Sequence, residues 1–211
     1  MTNHQAPLSD EQITDVRKLR RYRTADVVAD GTPTPVKLII DGRDGSFVFP
    51  TDRSAFEASE LVLWLPAERF DAIQMLVQTE EIEDPYDEAK DRYLAYHGEH
   101  ETARWARCVA ETIRFGARVW SSDEAPLHNQ IRGVEPRLCK LLNADRDRLA
   151  QLCDDMVNVR PPSPLAVGVD EDGLDVRASI GIIRLELPRR ARDESDAEAM
   201  IRGLLQPGLA S

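Results

Sequence analysis

The chain has 211 residues, of which 38 are acidic and 27 are basic, and its formal net charge is −11. This length is enough for one large domain or two small ones with a buried core, so disulfide bonds are not needed for folding. A chain this acidic lacks the clustered cations that neutralise phosphates, which excludes nucleic acid as the main partner.

Two further patterns concern the compartment in which the chain works. No stretch reaches ~18 consecutive apolar residues, and the opening residues lack the basic and then apolar pattern of a secretory signal. We therefore expect a cytoplasmic protein that does not act on a membrane. Cys108, Cys139 and Cys153 lie too far apart for a metal or redox motif, and we expect them to be reduced, buried thiols.

The first third of the chain changes from a helical pattern to a strand pattern. Ser9 and Gln12 have the spacing of a capping box, and the helix that follows is predicted to end near Arg23. Short apolar runs then predict β-strands over 36–40, 46–49, 61–65 and 73–77. The residues between the first two strands include two glycines, which favours a tight hairpin there.

A second helix and a longer strand are predicted next. Asp84 and Pro85 have the order of an N-cap followed by a first helical residue, and we expect this helix to end near Gly98. Residues 109–119 alternate between apolar and polar side chains, which predicts a half-buried strand.

The second half of the chain has helical spacing again and then short strands. Apolar residues over about 134–142 and 149–156 predict two helices, the second capped by Asn143 or Asp145. An antiparallel meander is predicted over 165–187, and Ser195 with Glu198 has the spacing of a capping box before a last helix. The chain is therefore predicted to be α+β, with an N-terminal helix over 1–23, a strand-rich domain over 24–125 and a smaller α+β module over 126–211.

Two segments carry side chains that could bind a ligand. In the first, His97 and His100 stand close together with Glu99 and could ligate a metal, although the same residues suit an ordinary polar helix end. In the second, Thr51, Arg53 and Ser54 would supply hydroxyl and guanidinium donors at the rim of a strand.

Such donors suit a phosphate or a carboxylate, and Lys37 on the neighbouring strand could add a positive charge. The alternative is that residues 51–54 form a simple polar turn capped by Ser54.

The second of these segments also carries a resemblance to known proteins. Residues 47–54 read Phe-Val-Phe-Pro-Thr-Asp-Arg-Ser, which is similar to the flavin-phosphate segment of the pyridoxamine 5′-phosphate oxidase-type split β-barrels. More specifically, the chain resembles the HugZ-type haem-utilisation family. The segments that match in order are 83–85, 92–97, 115–120, 141–146, 167–177 and 183–185.

This resemblance implies a fold and a class of function. The fold would be a six-stranded split β-barrel that forms a homodimer, with haem or a flavin bound at the subunit boundary and a small module beside the barrel. The function implied is haem binding, with haem oxygenase-like degradation in some relatives. Arg118 would then donate to a propionate or to bound oxygen, and Trp120 belongs to the same matched segment.

The sequence differs from the family pattern at several positions, and these differences affect how the possible functions are ranked. Leu141 and Arg146 stand where the family has histidines, so the internal candidates for an iron ligand are His97, His100 and His128. Haem binding comes first, and a cofactor-free regulatory or binding dimer, with a protein partner, is the alternative. An FMN-dependent oxidoreductase comes third, because Glu57 stands near the position of a phosphate-binding lysine.

Overall fold

The structure is a computed structural model that describes residues 8–66, 72–101 and 104–206. The chain divides into two compact units. The barrel unit comprises the residues up to Tyr93 together with Glu99–His128, and the C-terminal unit comprises Leu94–Gly98 together with the residues from Asn129 onward. Within the described ranges, no helix is both long enough and apolar enough to cross a membrane.

An antiparallel sheet forms most of the barrel unit. The elements from the start of the chain to the end of this sheet are α1 (Asp10–Leu19), β1 (Thr24–Ala29), β2 (Thr32–Lys37), β3 (Ile39–Ile40), β4 (Phe47–Thr51), α2 (Ser54–Glu57), β5 (Leu61–Leu65), β6 (Ile73–Glu81), α3 (Glu88–His97), β7 (Arg104–Phe115) and β8 (Arg118–Ser121). The strand order is β2-β1-β5-β6-β7-β4-β3, and β8 pairs with β7. Because β2 also contacts β4, the sheet curls into a split half-barrel, which agrees with the predicted fold class. The expected number of six strands is wrong, since the described part of this sheet has eight.

Alternation along the strands places one apolar row inside this half-barrel. Successive side chains of a strand point to opposite faces, so every second residue is buried in β5 and in the first five residues of β6. The inward row includes Leu61, Leu63, Leu65, Ile73, Met75 and Val77. Helix α1 packs Val16 and Leu19 against the same core, and its N-terminus has the predicted capping box between Ser9 and Gln12.

The order of the first strands differs from the prediction. The predicted strand over 36–40 is wrong, because the chain leaves the β2 ladder after Lys37 and starts β3 at Ile39, in a different part of the sheet. Strand β1 was not predicted, although it pairs with β2 through a turn in which Asp30 and Gly31 have positive φ. The predicted hairpin between β3 and β4 is confirmed.

The predicted strand over 109–119 is in fact part of a hairpin. Gly116 has φ of +62° and turns the chain from β7 into β8, so the residues on either side pair with each other. The ladder between β6 and β7 shifts register at Leu76 and Val77, and Glu111 is left out of the pairing. This bulge explains why Val109 faces outward while Ile113 faces the core.

The N-terminus of α3 also differs from the prediction. The helix begins at Glu88, and the backbone N–H of Ala89 donates to the Asp87 carboxylate at 2.8 Å. Asp84 instead accepts from the backbone of Tyr86 and forms a turn before the helix. The predicted end near Gly98 is confirmed.

The C-terminal unit packs helices against a three-stranded antiparallel meander. Its elements are α4 (Glu135–Asn143), α5 (Arg146–Val157), β9 (Leu165–Asp170), β10 (Gly173–Ala178), β11 (Gly181–Glu186) and α6 (Glu194–Leu205). Asp145 caps α5, which decides between the two predicted caps. The predicted box at Ser195 and Glu198 is wrong, because Asp193 caps α6 by accepting from the N–H of Asp196.

None of the three cysteines forms a disulfide bond, as expected. Cys108 and Cys153 are buried and Cys139 is half-buried. Burial raises the pKa of the Cys108 thiol to about 12 and that of Cys153 to about 11, so both remain protonated and unreactive near neutral pH.

Candidate functional site

A cavity of about 220 Å³ opens beside β7 in the barrel unit. The pairing of β4 with β7 reaches Cys108 and the pairing of β8 with β7 starts at Thr112, so the cavity lies at the gap between these two partner strands. The lining residues are Asp44, Gly45, Ser46, Val109, Ala110, Ile113, Ser122, Asp123, Ala125, Pro126, Leu127 and His128. We call it the His128 cavity, after the one histidine in this lining.

Two residues hold the backbone of His128 in place. Buried Arg20 donates from Nη2 to the carbonyl oxygens of Leu127 and His128, at 3.2 and 3.0 Å. Gly45 has φ of +81°, and a Cβ there would lie 2.9 Å from both the backbone nitrogen of His128 and the Leu127 Cβ. His128 is half-buried, and its backbone is therefore held by Arg20 and approached closely by Gly45.

A buried guanidinium organises the residues next to this cavity. Arg107 on β7 donates from Nη1 to Asp41 and to Ser46, both at 2.8 Å, and from Nη2 to Asp87 at 3.0 Å. Arg43 donates to the same two carboxylates, at 2.7 Å to Asp41 and 3.0 Å to Asp87. Buried charges paired in this way lock the β3–β4 hairpin to β7 and to the start of α3.

The charge state of Asp41 follows from these contacts. Burial by itself raises the pKa of this carboxyl, but hydrogen bonds from Arg43 and Arg107 outweigh burial and lower the pKa to about 2. Asp41 is therefore ionised at every pH at which the protein is expected to work.

Asp15 of α1 brings together two of the residues that the resemblance assigns to a cofactor. Arg118 donates from Nε and Nη2 to the two oxygens of Asp15, at 2.8 and 2.6 Å, and Trp120 donates from Nε1 at 2.9 Å. Burial raises the pKa of Asp15, but the two donors outweigh it and the net pKa is lowered. Arg118 and Trp120 thus form an ion-pair cluster that joins α1 to β8.

A second cavity, of about 240 Å³, contains part of the predicted phosphate segment. Thr51 and Ser54 line it, between β4, α2 and the β1–β2 hairpin, and Asp52 lines it as well. The Ser54 hydroxyl and backbone N–H both donate to Asp52, at 2.5 and 2.8 Å, and these bonds lower the pKa of that carboxyl. The segment is therefore a polar turn in which Asp52, and not the predicted Ser54, accepts the hydrogen bonds. The carboxylate in this cavity disfavours a phosphate.

The predicted phosphate site has two positively charged residues, Arg53 and Lys37, and neither lines this cavity. Arg53 is exposed and donates from Nε to Glu57 at 2.5 Å, one helical turn later. Lys37 is exposed at the end of β2, where it pairs in register with Thr24.

The other two predicted iron ligands lie outside the cavities described above. His97 is half-buried at the end of α3 in the C-terminal unit, with its ring centroid 6.1 Å from that of Tyr96. His100 is exposed in the barrel unit, with its ring 6.2 Å from that of Tyr93. Over the described ranges, no three His, Cys, Asp or Glu side chains are grouped closely enough to hold a metal ion.

Sequence reasoning missed the Arg107 cluster. A signal was present, because Arg107 stands between Ala106 and Cys108 in a strand whose neighbouring residues are buried. A charged residue in such a strand requires a buried partner, and the acidic hairpin at 41–44 could have been recognised as its source.

The fold places the chain in the class of α+β proteins with a split half-barrel sheet. Comparison with known proteins adds structural matches but no family. No family model matches the chain, and no curated protein matches it. A protein of unknown function from Agrobacterium tumefaciens has a similar crystal structure, with a TM-score of 0.69 and 18% sequence identity. The match covers 96% of this chain and 98% of that one, and it shows that the two share a fold.

A heme binding protein from Mycobacterium smegmatis is a more distant structural match. Its TM-score is 0.40 and its identity 14%, over 95% of this chain and 98% of that one. A likeness at this level establishes neither the fold nor the function of this chain.

Proposed function

We propose that the protein binds haem as a homodimer, with His128 as the ligand to the iron. The observation that carries this proposal is the position of His128, a half-buried residue that lines a cavity together with Val109, Ala110 and Pro126. Imidazole is a common protein ligand of haem iron, and an apolar wall suits the porphyrin face. Haem bound there would supply the iron and oxygen chemistry, and the chain would supply ligation and access.

The size of the cavity favours a site completed by a second subunit. Cavities that hold small molecules measure about 300–1,000 Å³, whereas the His128 cavity measures about 220 Å³. A tetrapyrrole would therefore extend beyond the part that one chain provides.

Exposed apolar residues on the same sheet support the dimer. Leu76, Val109 and Val119 are 39%, 49% and 56% exposed on β6, β7 and β8. Val109 also lines the His128 cavity, so one of these exposed apolar residues borders the proposed site. A second copy of the chain is the occupant we propose for this face of the sheet.

One set of contacts favours a cofactor-free dimer as the second candidate. Asp15 already binds Arg118, the residue that the resemblance assigns to a propionate or to oxygen. Asp44, with a 51% exposed side chain, also lines the His128 cavity and would repel a propionate. On this alternative the same sheet face binds a protein partner and no cofactor. FMN stays third, because Asp52 would repel its phosphate.

A haemin titration separates these candidates. We expect micromolar haemin to give a saturable shift of the Soret band with the wild-type protein. The shift should be lost in His128→Ala and retained in His100→Ala, an exposed histidine outside the cavity. Absence of a shift in the wild type would favour the cofactor-free dimer, and an unchanged shift in His128→Ala would reject this ligand.

Three further measurements test the remaining parts of the proposal. Loss of the Soret band after a reductant is added under air would indicate haem degradation. Saturable quenching of FMN fluorescence would instead support the flavin hypothesis. Sedimentation at micromolar concentration should give the mass of a dimer, and a monomeric mass would contradict a shared site.

A further inference from the structure

A larger and more apolar cavity lies in the C-terminal unit, between α5 and α6. Its volume is about 310 Å³. The lining residues are Arg148, Leu152, Asp155, Met156, Pro188, Met200, Gly203, Leu204 and Gln206. We call it the α5–α6 cavity, and every residue that lines it is distinct from those of the His128 cavity.

The walls are formed by matching positions on the two helices. Leu152 and Met156 are four residues apart on α5, and Met200 and Leu204 are four residues apart on α6, so each pair lies on one face of its helix. Thioether side chains are unbranched and adapt to ligands of different shape. Two facing apolar pairs, each with a methionine, therefore form a wall that can adjust to a guest molecule.

A glycine keeps the cavity open on the α6 side. A Cβ built on Gly203 has no heavy atom within 4 Å, so a larger side chain would meet open space. Glycine inside a helix costs about 1 kcal/mol relative to alanine. No neighbouring atom requires a glycine at position 203. The absence of a side chain there instead leaves the wall of the cavity open.

The charges at the rim cancel one another. Arg148 donates from Nη2 to the carbonyl oxygens of Leu204 and Gln206, at 2.8 and 3.0 Å, and its Nη1 lies 3.6 Å from an oxygen of Asp155. The Arg148 guanidinium thus already donates to carbonyl oxygens at the C-terminal end of α6, and the Asp155 carboxylate balances its charge. An ionic ligand would gain little here, while a neutral polar group could bond to the rim.

We propose that the α5–α6 cavity binds a small neutral molecule with an apolar body and one polar group, such as an aromatic amine or an alcohol. Its volume is at the lower end of the range of about 300–1,000 Å³ for small-molecule sites, which sets the size of the ligand. The apolar body packs between the two helix pairs, and the polar group faces Asp155 and Gln206.

The neutral fluorescent probe N-phenyl-1-naphthylamine tests this site. With the full chain, we expect a saturable rise in fluorescence at micromolar probe. Gly203→Leu fills the cavity and should weaken binding at least tenfold. Ile180→Ser removes an apolar side chain that is 72% exposed in the same unit and should leave binding unchanged.

A second variant guards against a folding defect. Met156→Glu places a carboxylate on the half-buried wall and should also weaken probe binding at least tenfold, while the circular dichroism spectrum stays native. His128→Ala should not affect the probe, so a failure of the haem proposal would leave this one standing. Absence of saturable binding to the wild type, or full binding by folded Gly203→Leu, would overturn the proposal.

Discussion

Asp15 on α1 and Arg118 on β8 form a two-bonded ion pair, with oxygen–nitrogen distances of 2.8 and 2.6 Å. Asp15 is buried and also accepts from the indole of Trp120. This pair connects the first helix to the last strand of the half-barrel. It also removes from the proposed cofactor site the arginine that the sequence had suggested for it.

Asp15→Asn keeps the size of the side chain but removes its charge. We expect the thermal midpoint to fall by several degrees, because the charge-assisted bonds to Arg118 and Trp120 are replaced by weaker ones. Differential scanning calorimetry measures this change. Asp10→Asn, at an exposed position of the same helix, is the control and should have little effect; equal midpoints in the two variants would contradict a structural role for Asp15.

The Arg107 cluster predicts a loss of stability in acid. Folding lowers the pKa of Asp41 from 3.8 to about 2, so its carboxylate stabilises the native state above pH 3.8 and this contribution is lost as the pH falls through 2. Asp41→Asn should lower the free energy of unfolding at pH 7 by about 2 kcal/mol.

Urea denaturation at several pH values between 7 and 2 measures this effect. The difference between Asp41→Asn and the wild type should shrink as the pH falls through the window between 3.8 and 2. The exposed residue Asp91 supplies the control, since Asp91→Asn should follow the wild-type curve. A gap between wild type and Asp41→Asn that is the same at every pH would show that Asp41 stabilises the fold by packing alone.

Gly31 and Gly45 have nearly the same backbone conformation. Alanine at each position therefore separates the cost of backbone strain from the cost of steric contact. Gly45 has φ of +81° and Gly31 has φ of +85°, but only at Gly45 would a Cβ meet nearby atoms, those of Leu127 and His128. Gly31→Ala should cost the conformational penalty alone, about 1 kcal/mol. Gly45→Ala should cost at least about 1 kcal/mol more.

The same pair of variants tests the placement of His128. If Gly45 positions this histidine, Gly45→Ala should weaken haemin binding and Gly31→Ala should not. Urea denaturation gives the stabilities, and the haemin titration gives the affinities. Equal stabilities for the two variants would contradict the close approach of Gly45 to His128.

Gly203 offers a substitution that is expected to stabilise the chain. The residue is helical and a Cβ has free space, so Gly203→Ala should raise the free energy of unfolding by about 0.5–1 kcal/mol. Gly173→Ala is the contrasting variant, because its Cβ would collide with the Leu185 carbonyl oxygen, and this substitution should destabilise the protein. A loss of stability in Gly203→Ala would show that α6 is packed more closely than the structure indicates.

Local chemistry made several elements predictable from the sequence. The capping box at Ser9, the stop at Gly98 and the meander over 165–187 each depend on residues close together in the chain, and the structure contains all three. Errors arose where distant partners decide the outcome. Leu38 is apolar like Ile39 and Ile40 after it, yet the strand breaks there because β2 and β3 lie in different parts of the sheet.

The chain's own pattern was sufficient to predict its class, because the period of apolar residues and the turn residues already indicate an α+β protein; the split barrel was an expectation from the resemblance. Which polar side chains are available to a ligand was decided by the tertiary structure. Arg118 and Ser54 were reasonable ligand donors by residue type, but Asp15 and Asp52 already accept their hydrogen bonds. Residues far apart in the chain, such as Gly45 and His128, meet only after folding, and so their joint cavity could not be predicted from spacing.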